Sequence, residues 1–324
     1  MKRIMKKIAA VFCAMALTGF SLAQAAEYPS HTIKWIVPYL AGTGPDMVAR
    51  LVAAEMAKIL KEPIVIENRG GVGGNIGAQQ AAKAPADGYT WVYSGSPMAT
   101  NMRMYRKPGF DVETDFVHVA GMTQSDSTIV VNANSGISSI EDLYARLRAK
   151  PGQLTYASGG IGTPAHMGAE LALKDIETKP LHIPYKGASE SLNAVMGNQV
   201  DFAVILVSVA QTQVKSGKIK ALAVLSNERN PVLPAVPTLL EKGFPDALMV
   251  SSGGISVPKE TPMEIVQTIQ ETLFMVLQDP PVKAQLEQLG LTVVPRKSAA
   301  YTELLEGEIG KTEHLMKMMK LTPL

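Results

Sequence analysis

Twice in this chain, about 120 residues apart, a strand-like apolar run gives way to a loop of glycine and hydroxyl residues, then to a proline placed for the first turn of a helix. The first passage is Pro38-Tyr39-Leu40-Ala41-Gly42-Thr43-Gly44-Pro45. The second is Tyr156-Ala157-Ser158-Gly159-Gly160-Ile161-Gly162-Thr163-Pro164. Glycine lets backbone approach a ligand with no Cβ in the way, and proline at a helix start fixes φ where its missing N–H is not needed. A helix behind such a loop offers unpaired N–H groups and the positive end of its dipole, so it suits an anion. Two such loops, one in each half, would make two facing jaws. One helix start contributes about 0.3 to 2 kcal/mol, against roughly 8 kcal/mol for micromolar binding, so several loops must converge. Taken singly, each loop reads more readily as a tight turn before a helix; recurrence is what points to a site.

The rest of the sequence alternates strand-like and helix-like stretches, which predicts an α/β protein built on mostly parallel sheets. Strands are expected at 32–37, 64–67, 89–94, 129–132, 154–158, 182–185, 202–206 and 221–225. Helices are expected from about Pro45, over 78–84, and after Ser96-Pro97 with Ser96 as N-cap. Thr261-Pro262-Met263-Glu264 reads as a capping box opening a helix to about Gln278. A second helix ends at Gly290, a short strand covers 291–295, and a closing helix covers 298–319. No low-complexity tract or solenoid repeat interrupts this order.

The chain has 324 residues, enough for two domains, and a formal charge of +2. That charge is unevenly placed. Lys2, Arg3, Lys6 and Lys7 open the chain, no acid precedes Glu27, and an apolar run from Ile8 ends at Ala23-Gln24-Ala25. Basic start, apolar middle and small-residue end predict a secretory signal peptide over 1–25; the alternative is an N-terminal membrane anchor. Cys13 lies inside the apolar run, and Phe12 before it is too bulky for a lipoprotein signal. Without that segment, 27 basic and 29 acidic residues remain and no cysteine. Thiol nucleophiles, cysteine-ligated metals and disulfides are thereby excluded. The expected product is exported, most simply to a periplasm, and its slight acidity argues against nucleic acid.

Candidate ligand contacts follow from the loops that precede helices: Tyr39, Ala41, Gly42, Thr43, Gly44 and Asp46 in the first jaw, with Asn75, Ser94 and Ser96 nearby. Ser158, Gly160, Gly162, Thr163 and Lys186 come from the second half. His166, in the first turn after the second jaw, is a further candidate; the five histidines show no metal-ligand spacing, and neither a metal nor a cofactor is expected. Asp46 either orients its loop or meets the ligand. Gly160-x-Gly162-x-x-Ala165 fits the loose dinucleotide pattern, but Pro164 occupies the helix start. No phosphate loop, no Gly-x-Ser-x-Gly elbow and no nucleophile–base pair at a recognisable spacing is present.

Ile36-Val37-Pro38-Tyr39 through Gly42, Gly44, Asp46, Ala49 and Arg50 resembles the opening motif of the tripartite tricarboxylate transporter solute-binding proteins, the Bug family. The likeness continues through Val65 to Arg69, Gly73 to Ala78, Asp87 to Thr90, Asp115-Phe116, Tyr156 to Ser158 and Pro184 to Gly187. It runs on through Gly197 to Asp201, Lys215 to Lys218, Val236 to Thr238, Pro258 and Thr261-Pro262. The resemblance implies an α/β, two-lobed periplasmic binding protein of type II kind, with two crossover strands and an interdomain cleft. Lobe 1 would comprise 26–123 and 248–324, lobe 2 124–247. It further implies a monomeric receptor that closes over a small organic anion and delivers it to integral-membrane permease subunits. An exported hydrolase using the same cleft and a receptor acting only in signalling are the rival readings. Three departures bear on the ligand. Leu40, Ala41 and Thr43 replace two prolines and a glycine; Ile205 and Leu206 replace a polar pair; Ser252-Gly253 replaces a Trp-Phe pair. They predict a site roomier near 252 and more apolar near 205, with Ile205 and Leu206 as contacts. The expected ligand is a mono- or dicarboxylate with an apolar or aromatic body, not a citrate-like polyanion.

Overall fold

The computed structural model describes residues 28–324 apart from 162, 175, 177, 178 and 186. The predicted signal peptide and Cys13 lie outside the described residues, as do Gly162 and Lys186. Strands β1 (Ile33–Val37), β2 (Ile64–Asn68) and β3 (Thr90–Gly95) run parallel in the order β2-β1-β3. Their crossovers are helices α1 (Gly44–Leu60) and α2 (Asn75–Ala82), and β3 runs directly into α3 (Ser96–Met104). On α1, Val48, Val52, Ala53 and Met56 repeat at helical spacing and bury against Trp35 and Trp91. The pattern is repeated further on. Strands β5 (Thr155–Ser158), β6 (Leu181–Pro184) and β7 (Phe202–Leu206) are parallel in the order β6-β5-β7, with helices α5 (Pro164–Leu173), α6 (Ala188–Met196) and α7 (Val207–Lys215) following each in turn.

One 17-residue strand, β4 (Phe116–Asn132), joins the two halves. Up to Asp126 it pairs antiparallel with β9 (Val250–Pro258) and, on its other edge, with β10 (Thr292–Lys297). From Ser127 onward it pairs antiparallel with β7 and with β8 (Ile219–Val224). These senses fix how the halves face. Since β9 is antiparallel to both β3 and β4, β4 leaves the first half in the direction of β1–β3. It enters the second half antiparallel to β7, so the carboxyl ends of β5–β7 point back at those of β1–β3. Register gives the separation. Gly95 at the end of β3 is level, through Gly253, with Thr123 of β4, while Leu206 at the end of β7 is level with Ser127. Four residues of strand span about 13 Å.

The sequence finds only the last four residues of β4 and does not find β9. The missing stretches are Phe116 to Thr128 and the whole of β9; their centres, Thr123 to Thr128 and Ser251 to Gly254, are polar or small residues that break the apolar pattern and extend because they are paired on the sheet. Two expected caps are corrected. Helix α8 (Met263–Gln278) has Pro262 at its N-cap, and Thr261 Oγ1 donates instead to the Pro258 carbonyl at 2.7 Å. Ser96 is the first residue of α3, not its cap, and its hydroxyl is used elsewhere.

After α4 (Ile140–Ala149), α8 and α9 (Pro280–Gln288), the chain closes with α10 (Ser298–Met319). This helix serves two cores. Tyr301, Leu305 and Ile309 pack with Ile36 and Val92, whereas Leu315 packs with Ile129, Tyr156 and Phe202. Between these, Lys311 Nζ donates to the Leu248 carbonyl at 2.6 Å, just before β9. Among the described residues no helix is long and apolar enough to cross a membrane.

Candidate functional site

The two loops singled out in the sequence close with the same hydrogen bonds. In the first, Thr43 N and Thr43 Oγ1 both donate to the Leu40 carbonyl, at 3.3 and 2.7 Å, and Met47 N donates to Thr43 O. In the second, Thr163 N and Oγ1 donate to the Gly160 carbonyl at 3.3 and 2.8 Å, and Met167 N donates to Thr163 O. Both threonines are extended, φ −76° and −67°, and both precede a helix that carries proline in its first turn. Gly42 has φ +79° and Gly160 φ +129°, values that favour glycine at each turn. Each turn sits at the carboxyl end of the middle strand of its three parallel strands, the usual place for a ligand in open α/β sheets. Each presents its helix N-terminus to the gap.

Asp46 braces the first turn. Its Oδ2 accepts from Gly42 N at 2.8 Å and from Arg50 Nε at 3.1 Å, and its Oδ1 accepts from Asn68 Nδ2 at 2.9 Å and pairs with Arg50 Nη2. Burial alone would raise this carboxyl; the Arg50, Gly42 and Asn68 hydrogen bonds outweigh it and hold Asp46 below the usual carboxylate range. With every lone pair occupied, Asp46 orients the loop. Thr163 acts similarly at the second turn, its Oγ1 also accepting from His166 N at 3.3 Å as a side-chain N-cap.

The remaining candidates divide. Ala41 and Gly42 are exposed, and Tyr39, Gly44 and Gly160 are partly so. Asn75 is buried; its Oδ1 accepts from Asn101 Nδ2 at 2.6 Å, and its own Nδ2 has no partner among the described residues. Ser94 is buried, bonded to Tyr301 and Ser256, which leaves its hydroxyl no reach to a ligand. Ser96 Oγ accepts from Ser252 N and donates to Glu308 Oε1, both at 2.7 Å, so it ties β9 to α10. His166 stacks on His182, ring centroids 4.1 Å apart, and lines a cavity of about 500 Å³ between α5 and the end of α10. Burial pushes both imidazoles down to about 4, with each other's proximity adding to the effect on His182.

Two expectations about the ligand are corrected. Ile205 packs in the core with Val130, Leu192 and Ala203, because β7 is covered on both faces; only Leu206 keeps free surface. The room expected beside Gly253 is filled by the Tyr93 ring, which lies where a Cβ at 253 would stand. Sequence reasoning also missed the floor between the two edges, made by Gln124, Ser125 and Asp126 of β4 opposite Ser252, Ser251 and Val250 of β9. Their only signal is a run of small polar residues. Equally hidden was a serine–histidine contact: Ser158 Oγ lies 2.7 Å from His182 Nε2. Ser158 is wholly buried and also bonds the Gly160 N–H and carbonyl, so it shapes the second turn and exposes no nucleophile. No cluster of three His, Cys, Asp or Glu side chains able to hold a metal occurs among the described residues.

A family profile described as the tripartite tricarboxylate transporter family receptor matches residues 48–321. The chain belongs to this family. Among solved members of the same fold, the periplasmic binding protein BugD is 30% identical with a TM-score of 0.80, covering 92% of this chain and all of that one. Rpa4515 of R. palustris, solved with adipate, is 29% identical with a TM-score of 0.84 over 92% of this chain and all of the other. MatC from Rhodopseudomonas palustris, with bound malate, is 28% identical with a TM-score of 0.78 over 89% and 99%. The receptor-family fold is thus a two-lobed one, with β4 and β9 as its crossover strands and a cleft between the facing carboxyl edges.

Proposed function

We propose that this receptor-family chain binds a small organic carboxylate in the cleft, gripping it with backbone N–H groups of the two equivalent turns. The observation that carries this reading is the shared Thr–carbonyl geometry at Leu40–Thr43 and Gly160–Thr163, one on each facing edge. Gly42, Thr43, Gly160 and Thr163 spend their N–H groups inside the turns, so Ala41, Gly44 and Ile161 supply the amides; Asn75 Nδ2 and Leu206 are further contacts, and Gly162 and Lys186 are assigned to the site from the sequence alone. Adipate and malate in two relatives support an acidic solute. In this reading lobe 1 comprises 26–123 and 248–324 and lobe 2 comprises 124–247, a division supported by the change of partners along β4. The lobes close about β4 and β9, the protein acts in the periplasm after removal of 1–25, and the bound solute passes to membrane permease subunits. It binds as a monomer and catalyses nothing.

Thermal shift and calorimetry against adipate, malate, benzoate, citrate and the neutral adipamide test this. At least one carboxylate is expected to raise the melting temperature with a micromolar dissociation constant, and adipamide is expected to leave it unchanged. Indifference to all the acids, or equal binding of the neutral diamide, overturns the reading.

A further inference from the structure

Of the large apolar side chains exposed among the described residues, four stand beside the cleft. Leu40 (72% exposed) lies on the loop that follows β1, Val72 (57%) and Ile76 (51%) on the 3-10 turn and the first turn of α2 that follow β2, and Ile161 (50%) in the turn that follows β5. All four stand at the two facing carboxyl edges. On the first edge they are contiguous. A Cβ at Gly70 would lie 3.2 Å from Leu40 Cδ2 and one at Gly71 2.6 Å from Ile76 Cδ1, so both side chains lean on the same pair of glycines, and Val72 follows directly. A single exposed leucine needs no explanation, but apolar side chains gathered at the rim of a polar cleft mark a binding surface.

Their placement says what covers them. Leu40 and Ile161 belong to the very turns that offer backbone N–H groups: the Leu40 carbonyl closes the first turn, and Ile161 lies between Gly160 and Thr163 in the second. An acid group held on those amides puts its adjoining carbons against these side chains. We infer that Leu40, Val72, Ile76 and Ile161 are specificity-determining residues that take the unsubstituted aliphatic body of a dicarboxylate. The inference rests on the carboxylate reading above and adds to it the class of acid. A hydroxyl on the carbon chain would lose its water against these four side chains and find no hydrogen-bond partner in them.

Calorimetric dissociation constants for succinate, glutarate, adipate and pimelate test this, with malate against succinate as the hydroxyl pair. Each buried methylene is expected to tighten binding about fourfold, the equivalent of about 0.8 kcal/mol, over at least two successive steps. Malate is expected to bind more weakly than succinate. In the Leu40→Ser, Ile161→Ser double variant, with its fold checked by circular dichroism, the gain per methylene is expected to fall below twofold. A flat series in the native protein, tighter binding of malate than succinate, or an undiminished slope in the variant overturns the inference while leaving carboxylate binding intact. Failure of every dicarboxylate to bind overturns the carboxylate reading, and this inference with it.

Discussion

Glu308 carries its carboxyl from the surface of α10 into the interior. Oε1 accepts from Ser96, while Oε2 is buried with no partner among the described residues. Burial pushes the acid up to about 7, against the opposing pull of Ser96 and the more distant Lys311 and Arg296. The folded state therefore favours the protonated form. Its contribution to stability is complete below the ordinary carboxylate range and is lost as pH rises through about 7. His118, His166 and His182, pushed down to about 4 chiefly by burial, run the other way: their contribution is complete above about 6.5 and is lost as pH falls toward 4. Because the histidines are common to both proteins, comparing native with Glu308→Gln isolates the acid. The variant is expected to gain a few degrees of melting temperature relative to native between pH 5.5 and pH 8, on the order of 1 to 3 kcal/mol. A difference that does not change with pH counts against a buried, titrating Glu308.

The two jaw turns share their Thr–carbonyl hydrogen bonds but are unequal in how they are capped, and that inequality is measurable. Thr163 Oγ1 both donates to Gly160 O and accepts from His166 N; Thr43 Oγ1 donates to Leu40 O and caps nothing. Thr163→Ala is expected to lower stability by about 1 kcal/mol more than Thr43→Ala, read as a larger fall in the urea midpoint. Equal losses would mean that the cap on α5 contributes nothing. Such turns were legible in the sequence because their chemistry is local: threonine, glycine and proline at fixed offsets fix φ, the cap and the helix start together. Ile205 was not legible, since whether a strand residue meets solvent depends on what covers each face, and β7 is covered on both. Gly253 misled for a related reason. The absence of a side chain reads as space in a sequence, yet Tyr93 on the neighbouring strand fills it.

The whole molecule turns on the short stretch of β4 and β9 between the facing edges. If the lobes close over a solute there, X-ray scattering should show the radius of gyration falling when a saturating dicarboxylate is added; an unchanged profile at confirmed saturation refutes closure. The order of the strands other than β9 could be anticipated from the alternating pattern, and the pairing of two similar halves from the recurring loops. The dual role of α10 could not, because its apolar residues repeat at one spacing whichever core they enter, and only the tertiary arrangement sends Leu315 to a different core from Tyr301. The partner change along β4 has a further consequence, for folding order. Strands β5 to β8 and the second half of β4 lie in one uninterrupted stretch, so the middle unit can assemble its sheet from contacts close in sequence, awaiting Leu315 and Met319 of α10 for its core. The first unit must hold β3 and the first half of β4 without a shared partner until β9 arrives, more than a hundred residues after β4. Non-local pairing of this kind is slow. The same strand that joins the lobes thus sets a sequence of events in which the middle unit matures first and the unit that begins the fold is completed last.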